Sequence, residues 1–166
     1  RDWWQHNQIS AIKKNLEANE AVLIIDHKQK VLPSRQNESM TEYEYYGKSG
    51  MSLCGAMLIT KDADNFEHRF FDVVMDNVTT QRADDVIPVF EVVLREIKKE
   101  YNISRVSLVS DNAGAFSSYS HIPFLYACNN VDGFPTIVRW DYTEPQCGKS
   151  MLDTHFSYIN LQLRHA

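Results

Sequence analysis

The sequence lacks the features that define several broad classes of protein. Among its 166 residues, no apolar run approaches the roughly 18 residues that a membrane span needs, and the opening RDWWQHNQIS is not that of a signal peptide. Only three cysteines are present, Cys54, Cys128 and Cys147, and they show no Cys-x-x-Cys spacing. We therefore expect no membrane association, no disulfide framework and no closed zinc site. We expect the cysteines to be reduced thiols in a protein located inside a cell.

An excess of positive charge is missing too. The chain carries 17 Lys and Arg against 22 Asp and Glu, a formal net charge of −5. Neutralising nucleic-acid phosphates requires a local excess of Lys and Arg, so the surface as a whole is not a nucleic-acid clamp, although a local basic groove stays possible. The weak candidates for phosphate contacts, otherwise solvated charges, are Lys28, Lys30, Arg35, Lys48 and Lys149.

What is present is the composition of an ordinary globular domain. The hydrophobic fraction is 43% and the charged fraction 23%, without internal repeats or low-complexity segments. A length of 166 residues fits one domain spanning 1–166. Because the chain begins and ends abruptly, we expect it to be a fragment of a longer protein.

Hydrophobic periodicity predicts a leading helix, three strands, and then alternating helices and strands. The leading helix covers 1–20 and runs into a continuously apolar strand over 21–26, while the polar, Tyr-rich segment 33–50 is a long loop or hairpin arm. Later elements are strands at 51–60 and 68–77, a helix at 84–102, a strand ending at Asp111, a short helix at 117–131, a strand at 134–142 and a helix at 149–163. This order predicts an α/β fold with a five-stranded mixed sheet, βββαβαβα, flanked by helices and preceded by one extra helix.

Three aspartates stand at the places where such a fold forms its site. Asp26 ends the first strand, Asp111 ends the fourth, and Asp153 lies near the start of the last helix, just off its apolar stripe. If the first and fourth strands are parallel neighbours, both carboxylates emerge at one edge of the sheet, and a helix packed there adds the third. Each aspartate alone has an ordinary structural explanation, as a solvated strand end, a turn former or a first-turn helix residue. It is their joint placement that favours a site.

The chemistry of carboxylates indicates what such a site binds. Mg²⁺ and Mn²⁺ prefer oxygen ligands, and two ions about 4 Å apart activate the attacking oxygen and stabilise the leaving oxygen in phosphoryl transfer. Three clustered carboxylates without a cation would repel one another. We therefore predict a site for two Mg²⁺ or Mn²⁺ ions at Asp26, Asp111 and Asp153.

Three stretches resemble a known family. VSLVSDNAGAF is similar to the strand that carries the second aspartate of DNA transposases and retroviral integrases, and LIIDHKQ to their first-aspartate strand. EPQCGKSMLDTHFSYI resembles their Pro-Gln stretch, with its later Gly, that leads into the helix with the last acid. The resemblance spans roughly residues 21–166 and implies a ribonuclease-H-like fold, with Asp26, Asp111 and Asp153 as the catalytic, metal-binding acids of a DDE/DDD-type catalytic core.

Some features depart from the family or leave alternatives open. The third acid is Asp where most of these enzymes have Glu, and a shorter side chain requires a closer helix. Glu144, after the last strand, and Glu91, in the first long helix, are rivals for that position. His27 and His155 adjoin acidic positions and are weak candidates for assisting metal or phosphate binding.

The resemblance implies metal-dependent cleavage of DNA phosphodiesters and strand transfer. The expected partners are element-end and target DNA, with homo-oligomerisation on DNA and a nuclear or otherwise intracellular location. Two alternatives remain: a domesticated, non-catalytic DNA- or protein-binding module derived from a transposase, or a nuclease of the same fold. Exonucleases of this fold typically carry Asp-x-Glu in the first strand, whereas the chain has Asp26-His27-Lys28, which counts against that class.

Overall fold

The computed structural model describes residues 10–31, 51–63, 65–75, 82–143 and 151–165. Within them the elements follow the predicted order of three strands and then alternating helices and strands. They are β1 (Glu20–Val31), β2 (Met51–Asp62), β3 (Asn65–Met75), α1 (Ala83–Tyr101), β4 (Arg105–Asp111), α2 (His121–Asn130), β5 (Thr136–Thr143) and α3 (Met151–His165). A short helical stretch over 10–14 precedes β1. The predicted segment 33–50 lies outside the described residues.

The described strands form one mixed sheet in the order β3-β2-β1-β4-β5. β1 is the central strand: it pairs antiparallel with β2 and parallel with β4. β2 and β3 form an antiparallel hairpin, and β5 adds a parallel edge next to β4. The predicted α/β architecture, with a five-stranded mixed sheet flanked by helices, is therefore confirmed.

The side chains of the central strand alternate between two apolar cores. Leu23 and Ile25 of β1 belong to a core that includes the buried face of α1, whereas Val22 belongs to a second core with Leu152 and Phe156 of α3. Successive residues of a strand point to opposite faces of the sheet, so α1 and α3 cover opposite faces. Burying each large apolar side chain contributes roughly 1.5–3 kcal/mol, and both faces of β1 are used in this way.

The sequence pattern of α1 explains its position. Its predicted apolar stripe is fully buried, at Val86, Val89, Phe90, Val93, Leu94 and Ile97. At its start the Asp85 carboxylate accepts a 2.9 Å hydrogen bond from the Arg82 backbone N–H, which satisfies a donor that would otherwise have no helical partner. The helix ends at Tyr101, and its C-cap residue Asn102 has the left-handed conformation with φ 52°.

Two predicted boundaries are wrong by five residues or more. The leading helix does not continue to residue 20: it ends at 14, and a turn follows in which Leu16 and Glu20 donate backbone hydrogen bonds three residues back. Leu16 is buried against the α3 face, so apolar contact of this turn with the sheet replaces another helical turn. β1 also extends five residues past Asp26, because its antiparallel pairing with β2 continues beyond the last parallel pair with β4, Ile25 with Ser110.

Candidate metal centre

Asp26 and Asp111 occupy adjacent positions on two parallel neighbouring strands. Ile25 pairs with Ser110 in the β1–β4 register, and each aspartate is the next residue of its strand. Asp111 is the last residue of β4. By strand alternation Asp26 lies on the face of Val22 and Asp111 on the face of Val109, and both valines belong to the core covered by α3. The two carboxylates therefore project from the same face at the end of the parallel ladder.

Asp153 comes to this face from α3. It lies in the first turn of the helix, next to Leu152, which is buried against the sheet with Phe156. Its negative charge is one of the causes that raise the pKa of Asp26. Both other predicted acids, Asp111 and Asp153, are thus within electrostatic reach of Asp26.

The pKa of Asp26 records this convergence of charge. It is raised from 3.8 to about 6, first by burial and then by the negative charge of Asp111, with a smaller contribution from Asp153. The backbone N–H of His27 opposes the shift by hydrogen bonding to the carboxylate. A partly buried carboxylate beside two others is disfavoured in its charged form, and a cation bound there would remove that penalty.

Local hydrogen bonds hold Asp111 and the end of β4 in place. Its Oδ1 accepts a 3.1 Å bond from the backbone N–H of Ala113, an Asx turn that fixes the carboxylate against its own loop. The N–H of Asn112 donates to the Thr143 carbonyl of β5 at 3.1 Å. Trp140 donates its indole N–H to Ser110 Oγ at 2.9 Å. The strand end is therefore tied to β5 on the side away from Asp26.

A cavity of about 500 Å³ opens beside the acids. Its lining includes Asp26 and Asp111 together with His27, Arg82 and Phe116. Arg82 adds a cation to this lining, in which Asp26 and Asp111 are the acids. An opening of this size, lined by two carboxylates and one guanidinium among apolar residues, offers space for a ligand.

The side chains of the two histidines near the predicted acids, His27 and His155, contact other residues. His27 lies on the α1 face with its ring 5.1 Å from the Phe116 ring. Both its ring nitrogens are buried, without a hydrogen-bond partner among the described residues, and burial lowers its pKa despite the charges of Asp111 and Asp85. His155 Nε2 is 2.8 Å from Oδ2 of Asp72 on β3. Pattern reasoning missed Asp72, since nothing local indicates that β3 meets α3.

Of the two rival acids, Glu91 is described by the structure, and it does not join Asp26, Asp111 and Asp153. Glu91 is exposed on α1, on the opposite face of the sheet, and forms an ion pair with Arg95 at 3.1 Å. Glu144, Arg35, Lys48 and Lys149 lie outside the described residues, as do the side chains of Lys28 and Lys30.

The three carboxylates are of the chemical type that a hard cation prefers, but they are not grouped closely enough to form a complete binding site. Three carboxylates supply the oxygen ligands that Mg²⁺ and Mn²⁺ prefer. Across 10–31, 51–63, 65–75, 82–143 and 151–165, no three His, Cys, Asp or Glu side chains are grouped closely enough to hold one ion. The geometry therefore offers converging carboxylates that would have to tighten around an ion.

Neither free cysteine of the described residues adds a metal ligand. Cys54 is buried and its thiol contacts the Asp26 carbonyl at 3.4 Å. Burial raises the pKa values of Cys54 and Cys128, so both thiols stay protonated. None of the helices in the described part of the chain is long and apolar enough to cross a membrane.

Fold and site together define an α/β domain with an acidic cluster where its central parallel strands end. A family model described as a domain of unknown function, DUF8701, matches residues 5–159, so the chain belongs to that family. No curated protein and no solved structure matches the chain.

Proposed function

We propose that this chain is a ribonuclease-H-like catalytic domain of the transposase and integrase type, which cleaves DNA phosphodiester bonds with two Mg²⁺ or Mn²⁺ ions. The observation that carries the proposal is the juxtaposition of Asp26 and Asp111 on parallel neighbouring strands. Asp153 adds its charge from the covering helix. A carboxyl group with a raised pKa in the lining of a cavity, such as that of Asp26, is typical of functional sites.

The sheet topology supports the same class. The structure has a three-stranded antiparallel meander followed by two parallel strands, with β1 between β2 and β4, and this order is compatible with the proposed ribonuclease-H-like arrangement. In open α/β sheets a ligand site forms outside the carboxyl ends of strands, near the point where the strand order reverses. Here that point lies between β1 and β4, where the two aspartates stand.

The three acids would hold the ions. Asp26 and Asp111 would supply carboxylate oxygens from the sheet, and Asp153 would complete the ligand set from α3. The bound ions would supply positive charge that activates the attacking oxygen and stabilises the leaving oxygen. The Ala113 N–H would keep the Asp111 carboxylate oriented throughout, because it bonds one oxygen and leaves the other available.

The proposed substrate is DNA, bound at element ends and targets by a homo-oligomer in the nucleus or another intracellular compartment. The net charge of −5 makes local contacts necessary, since phosphates must meet cations near the site. Arg82, which lines the cavity together with Asp26 and Asp111, would supply one such contact.

A nicking assay tests the proposal. Supercoiled plasmid DNA is incubated with the protein in Mg²⁺, in Mn²⁺ or in a chelator, and an RNA–DNA hybrid is tested in parallel. The proposal predicts metal-dependent nicking of DNA that Asp111→Asn abolishes and Asp132→Asn, at an exposed aspartate after α2, leaves intact. Cleavage of the hybrid alone would assign the chain to the ribonuclease class instead.

A second candidate is a non-catalytic DNA- or protein-binding module derived from a transposase. It is favoured by the absence, within the described residues, of three acidic, Cys or His side chains grouped closely enough to hold an ion. This candidate predicts DNA or protein binding that neither metal nor Asp111→Asn changes. A wild-type protein that binds no metal and cleaves nothing would support it.

A further inference from the structure

Gly55 stands where α3 meets the centre of the sheet. It pairs with Asp26 of β1 on one side and with Asp72 of β3 on the other. A Cβ atom at this position would lie 2.4 Å and 2.6 Å from Cε1 and Cζ of Phe156, and 3.2 Å from Cδ1 of Leu152. Real Cβ atoms essentially never come that close to other atoms, so α3 packs directly on the backbone of β2.

Gly55 is explained by the lack of space for a side chain at this position, and not by a backbone conformation that favours glycine. Gly133 has a left-handed φ of 95°, whereas Gly55 lies in a regularly paired strand and has no such conformation. Glycine inside a strand weakens it, and its presence there often marks a site where another element approaches closely. The approaching element is the first half of α3, in which Asp153 lies between Leu152 and Phe156 in the sequence.

A second contact fixes α3 at the same level of the sheet. His155 Nε2 bonds both carboxylate oxygens of Asp72, at 2.8 Å and 3.1 Å. Its ring stacks on Phe70 with a centroid distance of 4.2 Å and an interplanar angle of 12°. Asp72 is the β3 partner of Gly55, so α3 is held on the row of residues that contains Asp26.

The close approach of α3 to the sheet suits the short side chain of Asp153. An aspartate carboxylate lies about 1.5 Å nearer to its own backbone than a glutamate carboxylate, one carbon–carbon bond less. A helix that carries Asp must therefore sit closer to Asp26 and Asp111 than one that carries Glu. We propose that Gly55 is a positioning residue that lets α3 approach closely enough for Asp153 to share a divalent cation with Asp26 and Asp111. This inference rests on the proposed function.

The test is a set of variants titrated with Mn²⁺ alone and followed by calorimetry. Gly55→Ala is expected to weaken Mn²⁺ binding by about tenfold or more, as changes to groups that orient metal ligands do. Asp153→Glu introduced into Gly55→Ala is expected to recover most of that loss, because the longer side chain spans the added separation. In the wild-type background the same Asp153→Glu change should not strengthen binding. A merely structural role for Gly55 does not predict this reversal.

A matched control separates positioning from stability. Ile97→Val removes one methyl group from the buried face of α1, on the far side of the sheet, and should leave Mn²⁺ affinity unchanged. If Gly55→Ala fails to fold, Gly55→Ala combined with Phe156→Leu replaces it, since leucine lacks the ring atoms that the new Cβ would meet. Mn²⁺ affinity within about threefold of wild type is then expected, a smaller change than the loss of about tenfold or more that follows when groups orienting metal ligands are disturbed.

The outcomes distinguish this inference from the proposed function. Wild-type protein that binds no Mn²⁺ would contradict both. Wild-type binding that Asp111→Asn removes but a folded Gly55→Ala retains would overturn the positioning role and leave the metal site standing. Failure of Asp153→Glu to restore binding in Gly55→Ala would overturn the positioning role as well, and so would lost binding in the folded Gly55→Ala/Phe156→Leu variant.

Discussion

Replacing Asp26 with Asn should stabilise the metal-free protein at neutral pH. The pKa of Asp26 is raised from 3.8 to about 6 in the folded state, so the folded protein holds the proton more tightly than the unfolded chain. Stability is therefore highest at low pH, where the carboxyl is protonated in both states, and falls as the pH rises from 3.8 through about 6. Above that range the whole penalty is present.

The size of the effect follows from the shift. One pKa unit corresponds to about 1.36 kcal/mol, which sets an upper value of about 3 kcal/mol. Because Asp26 is partly exposed to solvent, we expect about 2 kcal/mol after screening. Asn removes the charge and keeps an oxygen that accepts the His27 backbone N–H bond. At pH 7.5 the variant should therefore melt roughly 4–8 °C above wild type, as expected for a domain of this size.

Thermal and urea denaturation in a chelator measure this difference as a function of pH. The two proteins should be closest in stability near pH 4, diverge as the pH rises to about 6, and differ by a constant amount above it. Asp132→Asn, at an exposed position, should track wild type throughout and controls for the general loss of one negative charge. A variant that is less stable than wild type at pH 7.5, or a difference that does not change with pH, would refute the reasoning.

The remaining predictions concern metal linkage, the rival acid and the α3 contact. Millimolar Mn²⁺ or Mg²⁺ should raise the melting temperature of wild type, because a cation at a hundredfold excess over its Kd adds about 2.7 kcal/mol to the free energy of unfolding. Asp111→Asn should weaken this shift without destabilising the metal-free protein. An Asp111→Asn variant that does not fold would contradict a metal-binding role. Glu91→Gln should leave DNA nicking unchanged, because Glu91 pairs with Arg95 on the opposite face; loss of nicking would mean that the third acid is misassigned. His155→Ala should lower stability by about 1 kcal/mol in thermal denaturation, through the lost bond to Asp72, and an unchanged melting temperature would show that this contact contributes nothing.

Much of the fold could be predicted because its elements are strongly patterned. The continuous apolar run before Asp26 indicates a strand buried on both faces, and β1 has that environment. The six-residue apolar stripe of α1 is buried in full. Local pattern also explains why Asp26 and Asp111 fall together: each follows a buried strand, and parallel neighbours bring the ends of their strands to one edge.

The boundaries and the α3 contacts could not be read in this way. β1 extends past Asp26 because β2 pairs with it there, and that pairing depends on strand register. In the sequence, Gly55 is only a glycine within a predicted strand. Such a glycine indicates the close approach of another element, but it does not show which element approaches. The bond between His155 and Asp72 joins residues 83 positions apart, so no local periodicity indicates it.

Calorimetric titration of Mn²⁺ into wild type and Asp111→Asn at neutral pH tests the central claim most directly. The account predicts saturable binding to wild type, with up to two ions per chain, and at least about a tenfold loss of affinity in Asp111→Asn. Asp132→Asn should bind as wild type does. Wild type that binds no Mn²⁺ up to about 10 mM, where even weak carboxylate sites fill, or Asp111→Asn that binds as tightly as wild type, would contradict a metal centre at these three aspartates.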